Sequence, residues 1–140
     1  MSKSLNIDIG VVEYTLNDKV SVYFNPTDMF FIEKLFNTFN ELDSKQEGYK
    51  ALVDKAESNE DVFRATRTMD AEMREAVDDI FGQAVCADLL GDVNIYALAD
   101  GLPIWANLLL ALMDEIDTSY AREQKATNPR LQKYLKKYKK

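Results

Sequence analysis

The chain of 140 residues contains no histidine. That absence removes the commonest general base and the commonest metal ligand near neutral pH. Serine–histidine–aspartate and cysteine–histidine nucleophile systems go with it. Cys86 is the only cysteine, so an internal disulfide cannot form and a structural zinc site lacks its ligands. Set among Ala84, Val85, Ala87 and Leu89, Cys86 reads as a small buried hydrophobe. Gly82, Gly91 and Gly101 are spaced as caps and turns, and no glycine-rich phosphate loop exists. No run approaches the roughly 18 apolar residues a membrane-spanning helix needs. The start, Met1-Ser2-Lys3-Ser4-Leu5-Asn6, lacks the apolar segment and small-residue cleavage site of a signal peptide. The expectations are a cytoplasmic protein with no nucleic-acid or membrane partner, no cofactor, no metal and no catalytic residue.

What is present fits one domain with a real core: 46% hydrophobic and 29% charged residues. The net charge of −7 hides a split. Residues 122–140 carry eight basic groups against Glu123 alone, +7, so the other 121 residues carry −14. An acidic body repels nucleic acid, and only the tail could bind it. The division is an α-rich domain over 1–121 and a basic tail over 122–140, helical or disordered.

Leu5, Ile7 and Ile9 alternate with polar residues, as do Val20, Val22 and Phe24, which is strand periodicity. The pattern predicts a hairpin of Val11–Leu16 with Lys19–Phe24, turned at Asn17-Asp18, and Leu5–Ile9 as a third strand. Asn25-Pro26-Thr27-Asp28 predicts a helix start with Asn25 as cap. Met29, Ile32, Phe36 and Phe39 follow as its inner face with Leu35 and Leu42 beside them, and the helix ends near Leu42–Ser44. Lys45–Glu57 reads as a further helical piece with Tyr49, Leu52, Val53 and Ala56 inward. Ser58 and Asp61 resemble a capping box before the best-marked helix, 59–81. Its stripe is Val62, Thr66, Met69, Met73, Ala76 and Ile80, and Gly82 closes it. A short helix near Gln83–Leu90 ends at Gly91. Asp100-Gly101-Leu102-Pro103 opens the last core helix, running to about Tyr120. Asn128-Pro129 caps a basic amphipathic segment with Leu131, Tyr134, Leu135 and Tyr138 on one face. The expected fold class is mainly α (α+β): a helical bundle with a small N-terminal β-hairpin and a basic C-terminal tail.

Glu72, Glu75 and Asp79 share one helix face, and Asp114, Glu115 and Asp117 form a second acidic group. Both read as solvated rows, because cation ligation needs carboxylates converging from several elements. The apolar stripe from Trp105 to Ile116 fits core packing, and it also fits a groove for a partner's amphipathic helix. On the second reading Trp105, Leu109, Met113 and Met73 are contact residues, methionine supplying adaptable surface. In the tail, Lys133, Tyr134 and Lys137 are candidates for binding a neighbouring copy's acidic body. A disordered terminus, nucleic acid and a membrane surface are the alternatives for this segment.

The strings Phe24-Asn25-Pro26-Thr27-Asp28, Asp79-Ile80-Phe81-Gly82, Leu90-Gly91-Asp92, Leu102-Pro103-Ile104-Trp105 and Asp114-Glu115-Ile116 together resemble the tail assembly chaperones of long-tailed (siphovirus-type) phages and prophages of Gram-positive bacteria. The resemblance covers roughly residues 20–118. It implies a non-enzymatic factor of the host cytoplasm that coats the tape measure protein before the tail tube polymerises around it. Such a factor is absent from the mature virion and self-associates, with the tail tube protein as a second partner. Two rivals from other classes are a carboxylate-only metal enzyme and a small regulator acting on nucleic acid or protein through the basic tail.

Overall fold

The computed structural model describes residues 1–126 and 128–138. The fold is mainly helical with a small N-terminal antiparallel hairpin. β1 (Val12–Leu16) pairs with β2 (Val20–Phe24) in the register Val12↔Phe24 to Leu16↔Val20. Asn17 and Asp18 both adopt positive φ, 52° and 56°, the backbone that matches a hairpin's twist. The Lys19 N–H closes the turn on the Leu16 carbonyl at 3.0 Å.

The third strand does not form. Residues 1–11 carry no regular structure and are exposed. Gly10, at φ +73°, breaks the extended run before it can join β1. Its N–H bonds the Asp8 carboxylate at 2.8 Å, and Asn25 Nδ2 holds the Ile9 carbonyl at 2.9 Å.

α1 (Met29–Lys55) is one helix of 27 residues where two pieces were expected. Nothing at Leu42–Ser44 breaks it: Leu42 is buried, and Glu41 pairs with Lys45 one turn on at 3.7 Å. Its cap is Asp28, whose carboxylate accepts from the Phe30 N–H at 3.0 Å. Asn25 instead folds a turn, accepting from the Thr27 N–H and hydroxyl, both at 2.8 Å. Of the expected face Ile32, Leu35, Phe39 and Leu42 pack inward, joined by Phe31, while Met29 and Phe36 are exposed. Leu52 and Val53 also lie outward, beyond the length that α1's partners cover.

α2 (Asn59–Phe81) has the predicted bounds, with Ser58 Oγ accepting from the Asp61 N–H at 3.2 Å and Gly82 closing it at φ 66°. α3 (Cys86–Leu90) is shorter than expected. Asp100-Gly101 forms the tip of a second small hairpin, β3 (Leu98–Ala99) with β4 (Leu102–Pro103), instead of opening a helix. α4 (Ile104–Lys125) therefore starts after Pro103 and has no side-chain cap. Its first N–H groups find backbone instead: Ile104 donates to the Ala97 carbonyl at 2.8 Å and Trp105 to Ile95 at 3.3 Å. α5 (Arg130–Tyr138) follows, capped by Asn128.

The core lies where α1, α2 and α4 meet, closed at one end by β2. Leu35, Leu42, Met73, Val77 and Leu109 are fully buried there, each such side chain contributing about 1.5–3 kcal/mol of transfer free energy. An aromatic stack joins the hairpin to α1, with Tyr14–Phe24 at 4.7 Å and Phe24–Phe31 at 4.2 Å between centroids. Tyr49 of α1 stacks on Tyr96 at 4.3 Å.

Candidate interaction surface

Two apolar stripes were open to a contact role, and the fold separates them. Trp105 is 2% exposed, and its indole N–H donates to Gln46 Oε1 at 2.9 Å. Its ring packs edge-on against Phe39 at 5.5 Å. Met73 and Leu109 are fully buried, and Met113 packs against the same cluster. Burial between α1, α2 and α4 makes Trp105, Leu109 and Met73 core residues in this conformation, so they present no surface to a partner. Lys133, Tyr134 and Lys137 do. α5 contains no buried residue, and Leu131, Tyr134, Leu135 and Tyr138 are all exposed on it. Tyr134 and Tyr138 lie with ring planes 10° apart, and Lys133 and Lys137 each sit 5.5 Å from the neighbouring ring centroid.

Further apolar surface sits elsewhere. Leu5, Ile7, Ile9 and Val11 are exposed along the N-terminal segment, and Phe30 is 85% exposed at the start of α1. Leu98, at 72%, and Leu102 stand out on the β3–β4 hairpin, with Val93 exposed in the preceding loop. The burial of their neighbours Ile95, Tyr96 and Trp105 shows why sequence alone did not find them: apolar and polar residues alternate too irregularly there for either period.

The carboxylates divide in the same way. Glu72, Glu75 and Asp79 are exposed along α2. Among the described residues no group of three or more histidine, cysteine, aspartate or glutamate side chains could hold a metal ion. Others do structural work. Asp70 pairs with Arg74 at 2.9 Å and accepts from the Ile95 N–H at 2.8 Å. Arg74 Nη2 donates to the Gly91 and Val93 carbonyls at 3.0 and 2.7 Å. Asp78 Oδ1 accepts from the Val85 and Cys86 N–H groups, both at 2.9 Å, and so caps α3. One face of α2 thus fastens the irregular stretch 85–95. Glu115, assigned to a wet face, is half-buried and accepts from the Tyr14 hydroxyl and Ser119 Oγ, both at 3.1 Å. Arg122 Nη2 donates to Ser119 Oγ at 3.1 Å, so the hairpin is latched to α4.

Burial, with the charge of Asp78 second, pushes the Cys86 thiol up to about 12, which keeps it an unreactive neutral thiol. Burial pushes the Tyr96 phenol up to about 12 as well, with the charges of Glu72 and Asp70 adding to it.

The folded body is more acidic in one part than the whole-chain charge suggests. Residues 68–121 hold eleven carboxylates and a single cation, Arg74, already committed to Asp70 and two carbonyls. α5 carries four cations, Arg130, Lys133, Lys136 and Lys137, and no acid. No helix among the described residues is long and apolar enough to cross a membrane.

Comparison with family models, with curated proteins and with solved structures gives no match. The resemblance to tail assembly chaperones therefore rests on the sequence strings alone.

Proposed function

We propose that this chain is a non-enzymatic assembly chaperone that covers apolar helical surface on a client and self-associates as it does so. The client is the tape measure protein of a long-tailed phage or prophage, with the tail tube protein as second partner. The observation that carries the reading is the combination of unpartnered apolar side chains with a strongly acidic folded body. Apolar patches left open on a folded chain mark interaction sites: Leu5, Ile7, Ile9 and Phe30 stay exposed for a client, and α5 offers four large apolar residues for the contact between copies on which client cover depends. A long client helix with apolar stripes aggregates until something covers it. A cover with an acidic exterior keeps that complex in solution. The place of action is the host cytoplasm before the tube closes, and the factor is absent from the finished virion.

Co-expression with the tape measure product tests this directly. Expected is a soluble complex that co-purifies and that loses the client when Leu131 and Leu135 are both changed to serine. A tape measure product that stays insoluble and unbound in the presence of the wild-type protein overturns the reading.

One observation favours a second reading. The four exposed cations of α5 could follow a phosphate backbone, making the chain a small regulator of nucleic acid. Salt-dependent binding to duplex DNA, lost on removing residues 128–140, would support it. That truncation leaves α4, which runs to Lys125, intact.

A further inference from the structure

We propose that the acidic face formed by the β3–β4 hairpin and the loop before it receives α5 of a second copy of this chain. The inference rests on the self-association reading and deepens it by naming both surfaces. Three observations converge.

The first is charge. Between positions 68 and 121 the only cation is Arg74, and its guanidinium is engaged internally. Asp88 on α3, Asp92 in the loop before the hairpin and Asp100 at its tip are exposed, with no lysine between positions 68 and 121 to compete for them. α5 brings four cations and no acid. Like charges on residues 1–67 are far more mixed, with eight cations among twelve acids, so that region offers a weaker complement.

The second is apolar content. α5 needs cover for Leu131, Tyr134, Leu135 and Tyr138. The acidic row Asp114–Asp117 on α4 offers charge alone, its exposed neighbours being Ala111, Thr118 and Ala121. The hairpin region offers charge together with Leu98 and Val93; Leu102, paired with Ala99, points to the other side of the hairpin from Leu98. A basic amphipathic helix is matched there on both counts.

The third is reach. α4 begins immediately after β4 and is 22 residues long, about 33 Å at 1.5 Å per residue. Leu131 lies six residues beyond the end of α4, at most about 22 Å of fully extended chain. Leu131 therefore falls short of the chain's own hairpin, and α5 cannot lay its whole apolar face there. A second copy must supply it. The donor and acceptor surfaces differ, so the contact is heterologous and each joined copy leaves one of each open, which permits growth into rings or filaments. A nine-residue helix covers little area, at the weak end of specific interfaces. The association is accordingly concentration-dependent and falls as the Debye length drops from about 10 Å at 0.1 M salt to about 3 Å at 1 M.

The test uses two full-length variants that each lose one surface. Lys133→Glu with Lys137→Glu disables the donor, and Val93→Lys with Leu98→Lys disables the acceptor. Light scattering on the wild type at low salt should show mass rising with concentration and returning to monomer at 1 M salt. Each variant alone should stay monomeric. Mixed, they should form a 1:1 dimer that grows no further, since only one productive donor–acceptor pair exists. A mixture that stays monomeric, or a variant that associates like the wild type, overturns this interface while self-association itself stands. A wild type that is monomeric at every concentration overturns both. Melting curves control for folding, and Asp88→Lys with Asp92→Lys serves as the acceptor variant where the Val93 and Leu98 changes lower stability.

Discussion

α4 and α5 are consecutive helices with large apolar residues at three- and four-residue spacing, yet α4 buries six residues and α5 buries none. The difference lies in what surrounds each stripe. From Ile104 to Met113 α4 carries no charge, so its apolar face is wide enough to be closed in by α1 and α2. α5 sets four cations among its four large apolar residues within nine positions, and a stripe that narrow keeps its charged heads in water. An apolar stripe states that a helix is two-faced. The width of the stripe decides whether its own chain can cover it.

The sharpest way to break this comparison is to truncate the centre of the covered stripe. Trp105→Ala removes the largest side chain of α4 together with the Gln46 hydrogen bond and the edge contact to Phe39. Aromatic-to-alanine changes in cores cost about 3–5 kcal/mol, a large share of a small domain's stability. Urea denaturation should show the midpoint falling by that equivalent with the slope unchanged. Retained stability would move Trp105 out of the core and return it to the contact surface.

A smaller effect belongs to the polar fastening of residues 85–95. Asp78→Ala leaves the Val85 and Cys86 N–H groups without their acceptor, and unsatisfied buried donors cost about 1–3 kcal/mol each way of counting. Amide exchange should quicken across residues 85–95 while the middle of α4 stays protected. Uniform quickening through both regions would show that α2 does not hold this stretch as a separate unit.

The covered half also carries an alkaline sensitivity. Cys86 is held up from 9.0 to about 12 and Tyr96 from 10.0 to about 12, both by burial. Each keeps its proton in the folded state longer than in the unfolded chain, so unfolded chains bind fewer protons in that window. Stability is complete below about pH 9 and declines as pH rises toward about 12. Melting temperatures over pH 8–12 should fall more gently in a Cys86→Ala, Tyr96→Phe double variant. An unchanged slope would assign the alkaline loss to other groups.

The elements with one dominant local signal were legible in the sequence. α2 shows a capping serine, an unbroken stripe and a closing glycine, and both its bounds agree with expectation. The β1–β2 turn declared itself through Asn17-Asp18. Where the reading failed, tertiary structure supplied what no local pattern encodes. Asn25 had the chemistry of a helix cap but serves a turn and the Ile9 carbonyl. Asp100-Gly101-Leu102-Pro103 fits a helix start and a hairpin tip equally well, and the carbonyls of Ile95 and Ala97 decide between them. The Asp70–Arg74–Asp78 face gave no signal in the sequence, because its partners are backbone groups 7 to 25 residues away. Of the contact candidates, the sequence could show which residues were apolar on one side. It could not show that Trp105, Leu109 and Met73 face other helices while Tyr134 faces none.

The smallest effect is expected at the uncovered stripe, and its smallness is what makes it informative. Leu131→Ser with Leu135→Ser alters two of the four large apolar residues of α5 yet removes no buried contact, since both are exposed. Surface changes away from caps and cores fall within about 0.5 kcal/mol. Thermal and urea unfolding of the monomer at high salt should therefore match the wild type, while self-association and client capture are lost together. Such a variant separates the two helices cleanly, because Trp105→Ala damages the fold and this pair leaves it intact. A clear loss of monomer stability would mean that α5 packs on its own chain in solution, contrary to its exposed placement. An intact fold with intact association would leave the apolar face of α5 without a role and shift the search to Phe30, Phe36 and the N-terminal segment.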